Sequence, residues 1–335
     1  MELQYTTLDV FTSHRLQGNP LAVVTVPAAL RSKLPQATKQ KIAREFNLSE
    51  TVFLHEPDKQ GGSRDIDIFT VDREIPFAGH PTIGTAVLLK YYSSQTQQHV
   101  DLDTLITKAG PIPVFSADGN RIRAKIPHNV HLHARTLGDL ITSVSVSVSG
   151  FASASSLPGL TPAPQIRAAE LAAPVLSIVN GMTFILVRLA SLALLAQVST
   201  AHRLDLEGLP APLLDEGWRG GLVSRYYYVD VGDDEGKGEG EGGEERSVRT
   251  RLVDAGCEDP ATGSAASALA AYLSLYEERK GTRLRVTQGV EMGRESHIDV
   301  ETTVRETSDG GREVVDLWLE GTAVVVMRGS LAVDV

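Results

Sequence analysis

Two stretches far apart in the chain carry the same potential chemistry. The first, Ile75-Pro-Phe-Ala-Gly-His-Pro-Thr-Ile-Gly-Thr-Ala86, places a Gly-His step at the start of an apolar, small-residue helix. Gly79 lets the backbone approach a ligand closely, and Pro81 fits a first helical turn, where its missing N–H costs nothing. Free backbone N–H groups and the helix dipole at such a tip favour a carboxylate or a phosphate. The second stretch, Glu258-Asp-Pro-Ala-Thr-Gly-Ser-Ala-Ala-Ser-Ala-Leu-Ala-Ala-Tyr272, repeats the plan with Gly263-Ser264 in place of Gly79-His80. Two such devices imply two similar halves that aim helix tips at one ligand.

Around them the chain supplies mostly strands. Residues 5–11 alternate, Gly18-Asn19-Pro20 turns, and residues 21–26 return as a second strand. Asn19 is turn chemistry on one reading and a ligand contact on another. Residues 39–46 read as a short helix closed by Asn47, followed by a strand with Val52 and Leu54 on one face. Glu50 sits at the mouth of that strand. It is either a solvated surface acid or a carboxylate lodged among apolar neighbours, where desolvation raises its pKa and makes it a proton carrier. His80 is either a capping or core histidine, or it faces the same pocket as the anion trap.

Further strands are expected at 65–71, near Leu105, and at 122–126, 222–231, 248–253, 283–288, 296–303, 314–319 and 323–327. A strand-turn-strand is expected at 178–189, with helices at 167–175 and 190–207. Residues 143–164, rich in Ser, Pro and Ala, read as a loop or a weak edge strand.

The chain has 335 residues, enough for two ordinary domains. Its net charge is −10, which argues against nucleic-acid or anionic-membrane partners. Residues 230–245 hold eight acids and one lysine, so the rest of the molecule is nearly neutral. Within them Gly238-x-Gly240-x-x-Gly243 mimics a dinucleotide fingerprint, but no helix-forming run follows and the carboxylates would repel a pyrophosphate. Residues 229–246 read instead as a disordered acidic insertion. A single cysteine, Cys257, excludes an internal disulfide framework and fits a reducing compartment. No secretory signal or membrane span is visible, so a cytoplasmic protein is expected. His128, His131 and His133 suggest a metal site, yet no cysteine or evident carboxylate completes a shell, and no metal is expected.

With these residues in view, the chain resembles the phenazine-biosynthesis PhzF-like family, within the diaminopimelate epimerase-like fold. The matching pieces are Gly18-Asn-Pro-Leu-Ala-Val-Val24, Asn47-Leu-Ser-Glu-Thr-Val-Phe53, Phe77-Ala-Gly-His-Pro-Thr-Ile-Gly-Thr-Ala86, Glu258-Asp-Pro-Ala-Thr-Gly-Ser-Ala265 and Gln288-Gly-Val-Glu-Met-Gly-Arg294, in family order. The resemblance implies an α+β fold of two similar domains, each a curved, mostly antiparallel sheet around a central helix. The boundaries expected are 1–112, with 324–335 returning to that domain, and 113–323. It further implies a homodimer and isomerase chemistry without a cofactor on a small carboxylate-bearing substrate. Glu50, His80, Asp259 and Ser264 are the implied catalytic set; Asn19 and the backbone of Gly79, His80, Gly263 and Ser264 are the implied substrate contacts. Epimerases of this fold pair two cysteines where this chain has His80 and Ser264, so a two-thiol racemase is disfavoured and Cys257 is expected to be a small buried residue. A binding protein that retains the cleft without catalysis, and a single-base racemase, remain as alternatives.

Overall fold

The computed structural model describes residues 1–57, 61–92, 102–145, 157, 159–206, 209, 211–232, 245–254, 256–278 and 280–334. Most of the acidic insertion and the centre of the Ser-rich stretch lie outside the described residues. The first half runs β1 (Glu2–Val10), β2 (Asn19–Val26), α1 (Gln36–Phe46), β3 (Thr51–His55), β4 (Ser63–Phe69), β5 (Glu74–Ile75), α2 (Gly79–Val87) and β6 (Thr104–Thr107). It continues through β7 (Gly110–Ala117), β8 (Arg121–Lys125), β9 (His131–Leu132), α3 (Leu137–Ser145), α4 (Pro164–Ala172), β10 (Val175–Val179), β11 (Met182–Arg188) and α5 (Leu192–Ala196). The remainder is β12 (Leu222–Asp230), β13 (Glu245–Asp254), β14 (Cys257–Asp259), α6 (Gly263–Tyr272), β15 (Arg283–Gln288), β16 (Ser296–Glu306), β17 (Arg312–Gly321) and β18 (Ala323–Ala332).

These strands form one continuous hydrogen-bonded ribbon. The last strand, β18, pairs with β1, which pairs with β2, and β2 runs parallel to β3. The ribbon passes through β4, β6 and β7 to β8, and β8 pairs with β17. It then follows β16, β15, β13, β12, β11, β10 and β9. Pairings are antiparallel except for four parallel ones among the described residues. This is the α+β architecture of curved, mostly antiparallel sheet around central helices. Alternation decides which side each strand residue serves. Val52 and Leu54 enter the main core beside α2, while Phe53 points to the other face and packs with Ile42 and Ala43 of α1.

Two helices sit inside the ribbon. Every residue of α2 is buried, and so are eight of the ten in α6. Their small side chains let strands approach closely: a methyl on Gly84 would lie 2.7 Å from side-chain atoms of both Leu21 and Val10. Each helix continues into a five-residue π-turn, Leu88–Tyr92 after α2 and Leu273–Glu277 after α6. The two N-termini meet head-on. A methyl on Gly79 would fall 3.3 Å from Gly263 Cα, and one on either glycine would fall 2.9 Å from Leu319 Cδ2. Only residues without a Cβ allow this approach.

Five expectations need correction. Residues 229–230 and 245–246, read as the ends of a disordered insertion, belong to β12 and β13, which pair with each other. The helix expected at 167–175 runs from Pro164 to Ala172, and Val175 opens β10. Residues 143–145 close helix α3 rather than opening a loop. The helical period at 190–207 yields only the five residues of α5. Arg251 Nη1 donates to the carbonyls of Leu195 (2.9 Å) and Val198 (2.7 Å), the chain tightens to an i→i+3 bond from Val198 N–H to Leu195 O (3.2 Å), and the Val-Ser-Thr run there favours extended or turn conformations. Cys257 is exposed, because it opens β14 at a turn rather than entering the core.

Gly79→Ala is expected to destabilise the protein by about 1–3 kcal/mol, since Leu319 is itself buried and cannot swing clear. Urea unfolding of the two proteins measures this, and an unchanged midpoint would show that the helix tips are not in close contact.

Candidate active site

The start of β3 sets Glu50 against the tip of α2. Glu50 Oε2 lies 3.4 Å from His80 Nδ1, and its side chain is 18% exposed, so the carboxyl is mostly but not wholly shielded from solvent. Loss of solvent, and then the nearby Asp259 carboxylate, push the Glu50 carboxyl up to about 8, against a smaller opposing hydrogen bond from Ser49. His80 is almost fully buried, and burial pushes its imidazole down to about 3. Near neutral pH the contact therefore joins a largely protonated carboxyl to a neutral ring, and it is not an ion pair. His80 Nε2 is buried with no hydrogen-bond partner among the described residues.

Asp259 arrives from the other half, at the end of β14. Its Oδ1 accepts from Asn19 Nδ2 (2.8 Å) and its Oδ2 from Thr262 Oγ1 (2.5 Å). Burial still wins over these bonds and raises its carboxyl to about 6. Asn19 Nδ2 also donates to the Ala261 carbonyl (2.9 Å), and Ser49 Oγ donates to Asn19 Oδ1 (3.3 Å). One buried amide thus ties the residue beside Glu50 to the Asp259 turn.

The helix tips are left open. The N-cap of α2 is Ala78, which has no side chain to offer, and the N-cap of α6 is Thr262, whose hydroxyl serves Asp259 instead of capping. Neither helix spends its first N–H groups on a side-chain cap, which suits an incoming anion. Ser264, half-buried, is the second residue of α6, as His80 is the second of α2. Asn19, Glu50, Gly79, His80, Asp259, Gly263 and Ser264 all belong to these apposed tips or the turns beside them.

The motif reading overlooked several supports. Thr262 and Ser49 stand inside the pieces that match the family, but no sequence signal assigned either a role. Gln288 is fully buried and hydrogen-bonds Asp259 and Thr262, and Tyr226 and Thr250 back it. Besides the place of Gln288 at the head of the Gln288–Arg294 family piece, the cue in the sequence was a polar residue closing an otherwise alternating strand.

The carboxylate not found for the histidine cluster does exist, 82 residues beyond His133 in the chain. Asp215 Oδ2 lies 2.8 Å from His131 Nε2 and 3.6 Å from His133 Nδ1. His133 is nonetheless committed on both ring nitrogens: Nδ1 accepts the Asp215 N–H (3.1 Å) and Nε2 faces Ser177 Oγ (2.9 Å). Trp218 stacks on the His131 ring at 4.6 Å. His128 stands apart, bonded to the carbonyls of Ile126 and Val314. The donor set is satisfied internally and fits a metal poorly.

Paired central helices meeting tip to tip, inside a curved sheet and beside two partly buried acids, place the molecule in the class of diaminopimelate epimerase-like folds. The chain belongs to the phenazine biosynthesis-like protein family, whose model matches residues 8–206 and 255–329. It is 32% identical to an uncharacterized isomerase of Mesorhizobium japonicum over 98% of both chains. It is 28% identical to the trans-2,3-dihydro-3-hydroxyanthranilate isomerase of Pseudomonas aeruginosa over 88% of both. The crystal structure of a PhzF-family protein from Bacillus anthracis superposes with a TM-score of 0.66 at 20% identity, covering 99% of this chain and 100% of that one. No helix among the described residues is long and apolar enough to cross a membrane.

A glutamate shielded from most of the solvent costs stability. Its folded pKa lies above the unfolded value of 4.5, so below pH 4.5 both states are protonated and nothing is lost. As pH rises toward 8, the unfolded chain ionises first and gains about 1.4 kcal/mol per pH unit over the folded one. Glu50→Gln is therefore expected to unfold at higher urea than wild type at pH 8 and at the same urea at pH 4.5. Matching midpoints at pH 8 would place Glu50 in water.

Proposed function

We propose that the protein is a cofactor-independent isomerase that moves a proton between carbons of a small carboxylated, conjugated metabolite, with Glu50 as base and then acid. The observation that carries this reading is the Glu50 carboxyl, shielded beside neutral His80 and facing Asp259 where two uncapped helix tips converge. The substrate carboxylate lies between the tips, held by the backbone N–H groups around Gly79-His80 and Gly263-Ser264 and by Asn19. Ionised Glu50 takes a proton from the neighbouring carbon, and charge spreading into the carboxylate and conjugated bonds is stabilised by the same N–H groups. Glu50, now protonated, returns the proton at another carbon, and exclusion of water keeps it from leaking. His80 accepts a hydrogen bond from the protonated carboxyl and orients it; Asp259 keeps the carboxyl basic. The lobes closing on the substrate are residues 1–112 with 324–335, and residues 113–323. A two-thiol mechanism lacks its reagents, since the sole cysteine lies outside both tips.

The substrate named for the Pseudomonas aeruginosa relative is a cyclic, unsaturated amino carboxylate, the kind of molecule this site would take. Deuterium uptake from heavy water into trans-2,3-dihydro-3-hydroxyanthranilate, and into a panel of related carboxylates, tests the assignment. Exchange is expected with wild type, rising with pH to a plateau above about 8 as Glu50 ionises. Glu50→Gln should lower it by roughly a hundredfold or more. An equal rate in that variant removes Glu50 from the chemistry, and silence of wild type across the panel points to a binding protein.

A further inference from the structure

Residues 288–294 form a tight turn wedged between the two sides of the site. Gly289 adopts φ +77°, and a methyl there would meet the Pro260 carbonyl at 2.7 Å and the Arg294 carbonyl at 2.5 Å. Arg294 N–H closes the turn on the Gly289 carbonyl at 2.9 Å. At the near end, Gln288 Nε2 donates to the Asp259 carbonyl (2.8 Å) and to Thr262 Oγ1 (3.0 Å). Its Oε1 accepts from Thr262 N–H (3.3 Å) and from the Tyr226 hydroxyl (3.3 Å). At the far end, the Arg294 guanidinium donates to Gly18 O (2.8 Å), Gln17 O (3.0 Å) and Asp9 Oδ1 (2.6 Å). The next carbonyl, of Glu295, accepts Gly18 N–H at 3.0 Å.

We propose that Gln288 and Arg294 are positioning residues, the two ends of a clasp that holds Asn19 against Asp259 across the site. Each end is bonded to a member of that pair or to its immediate neighbour. The loop before Asn19 needs such holding, because Phe11, Leu16 and Gly18 all have positive φ, and for Phe11 and Leu16 that backbone is strained. Asp9 links the strain to the clasp: its Oδ2 accepts Leu16 N–H (2.6 Å) while its Oδ1 accepts Arg294. Without the arginine, Asp9 would be a buried carboxylate lacking its cation, and the loop would relax and carry Asn19 away from Asp259. Ser49, bonded to Asn19, would follow, and water would reach Glu50.

This role rests on Glu50 being the proton carrier only for its meaning in catalysis; its test reads the carboxyl itself. The groups facing Glu50 are His80 from α2, Asp259 from β14 and Ser49 from its own turn. Carbon-13 NMR titration of the Glu50 carboxyl in the full chain is compared for wild type, Arg294→Met, Arg294→Lys and Gln288→Leu. The Glu50 midpoint is expected near 8 in wild type and lower by about one unit or more in Arg294→Met and Gln288→Leu as the site hydrates. Arg294→Lys, which keeps the charge beside Asp9 but loses the planar fork, should fall between. Should Arg294→Met fail to fold, Arg294→Lys and Gln288→Leu carry the comparison. Variants that melt earlier while Glu50 keeps its wild-type midpoint would overturn the clasp and leave a merely structural turn. A shifted midpoint in a protein that exchanges no deuterium into trans-2,3-dihydro-3-hydroxyanthranilate would support the clasp and count only against the isomerase reading.

Discussion

The structure depends on holding one largely shielded acid next to another. Glu50 and Asp259 come from opposite halves, and each is pushed toward its protonated form by burial, with Asp259 adding to the pressure on Glu50. Left to themselves, two such groups would draw in water or drift apart. The surrounding architecture prevents both. A ribbon of sheet encloses the central helices, the first residue of β3 fixes Glu50 in place, and a buried amide spans from Ser49 to Asp259. No lysine or arginine is found among the groups shifting either acid, so the site does not neutralise its carboxyls with cations. The open helix ends do not offset this either: both carboxyls stay raised, and those N–H groups are left for an incoming anion.

That choice explains the doubled design. A single helix end carries only about half a positive charge and a few free N–H groups. Two of them, converging on one point, can grip a carboxylate and still have dipoles aimed at charge that develops beside it. The price is paid in backbone geometry: glycines at both tips, no side-chain caps, and helices built of Ala, Thr, Ser and Gly so that strands can come close. Both helices also end in π-turns, so the halves agree in detail far from the chemistry.

Much of this could be read in the sequence. The repeated Gly-polar step followed by a small-residue helix pointed to both tips, because a buried helix must be apolar all round and a ligand-facing tip must lack bulk. The strand-end position of Glu50 was legible as well, though not how far its carboxyl is raised, since that depends on tertiary burial and then on the charge of Asp259, 209 residues away. What stayed hidden were side-chain bonds between distant segments. Thr262 gives its hydroxyl to Asp259 rather than to its own helix, and Arg251 donates to carbonyls that a local period would have placed in a longer α5. Asp215 beside the paired histidines was missed for the same reason. Local pattern reports propensity, and these contacts are decided by tertiary reach.

The Gly79–Gly263 contact has a bearing on how such a scaffold diversifies. Because main chain meets main chain there, the spacing of the two helix tips is a property of the backbone, with no side chain available to widen or narrow it. A change in what the site can hold must then come from the walls and the rim, because a side chain added at either tip would run into Leu319.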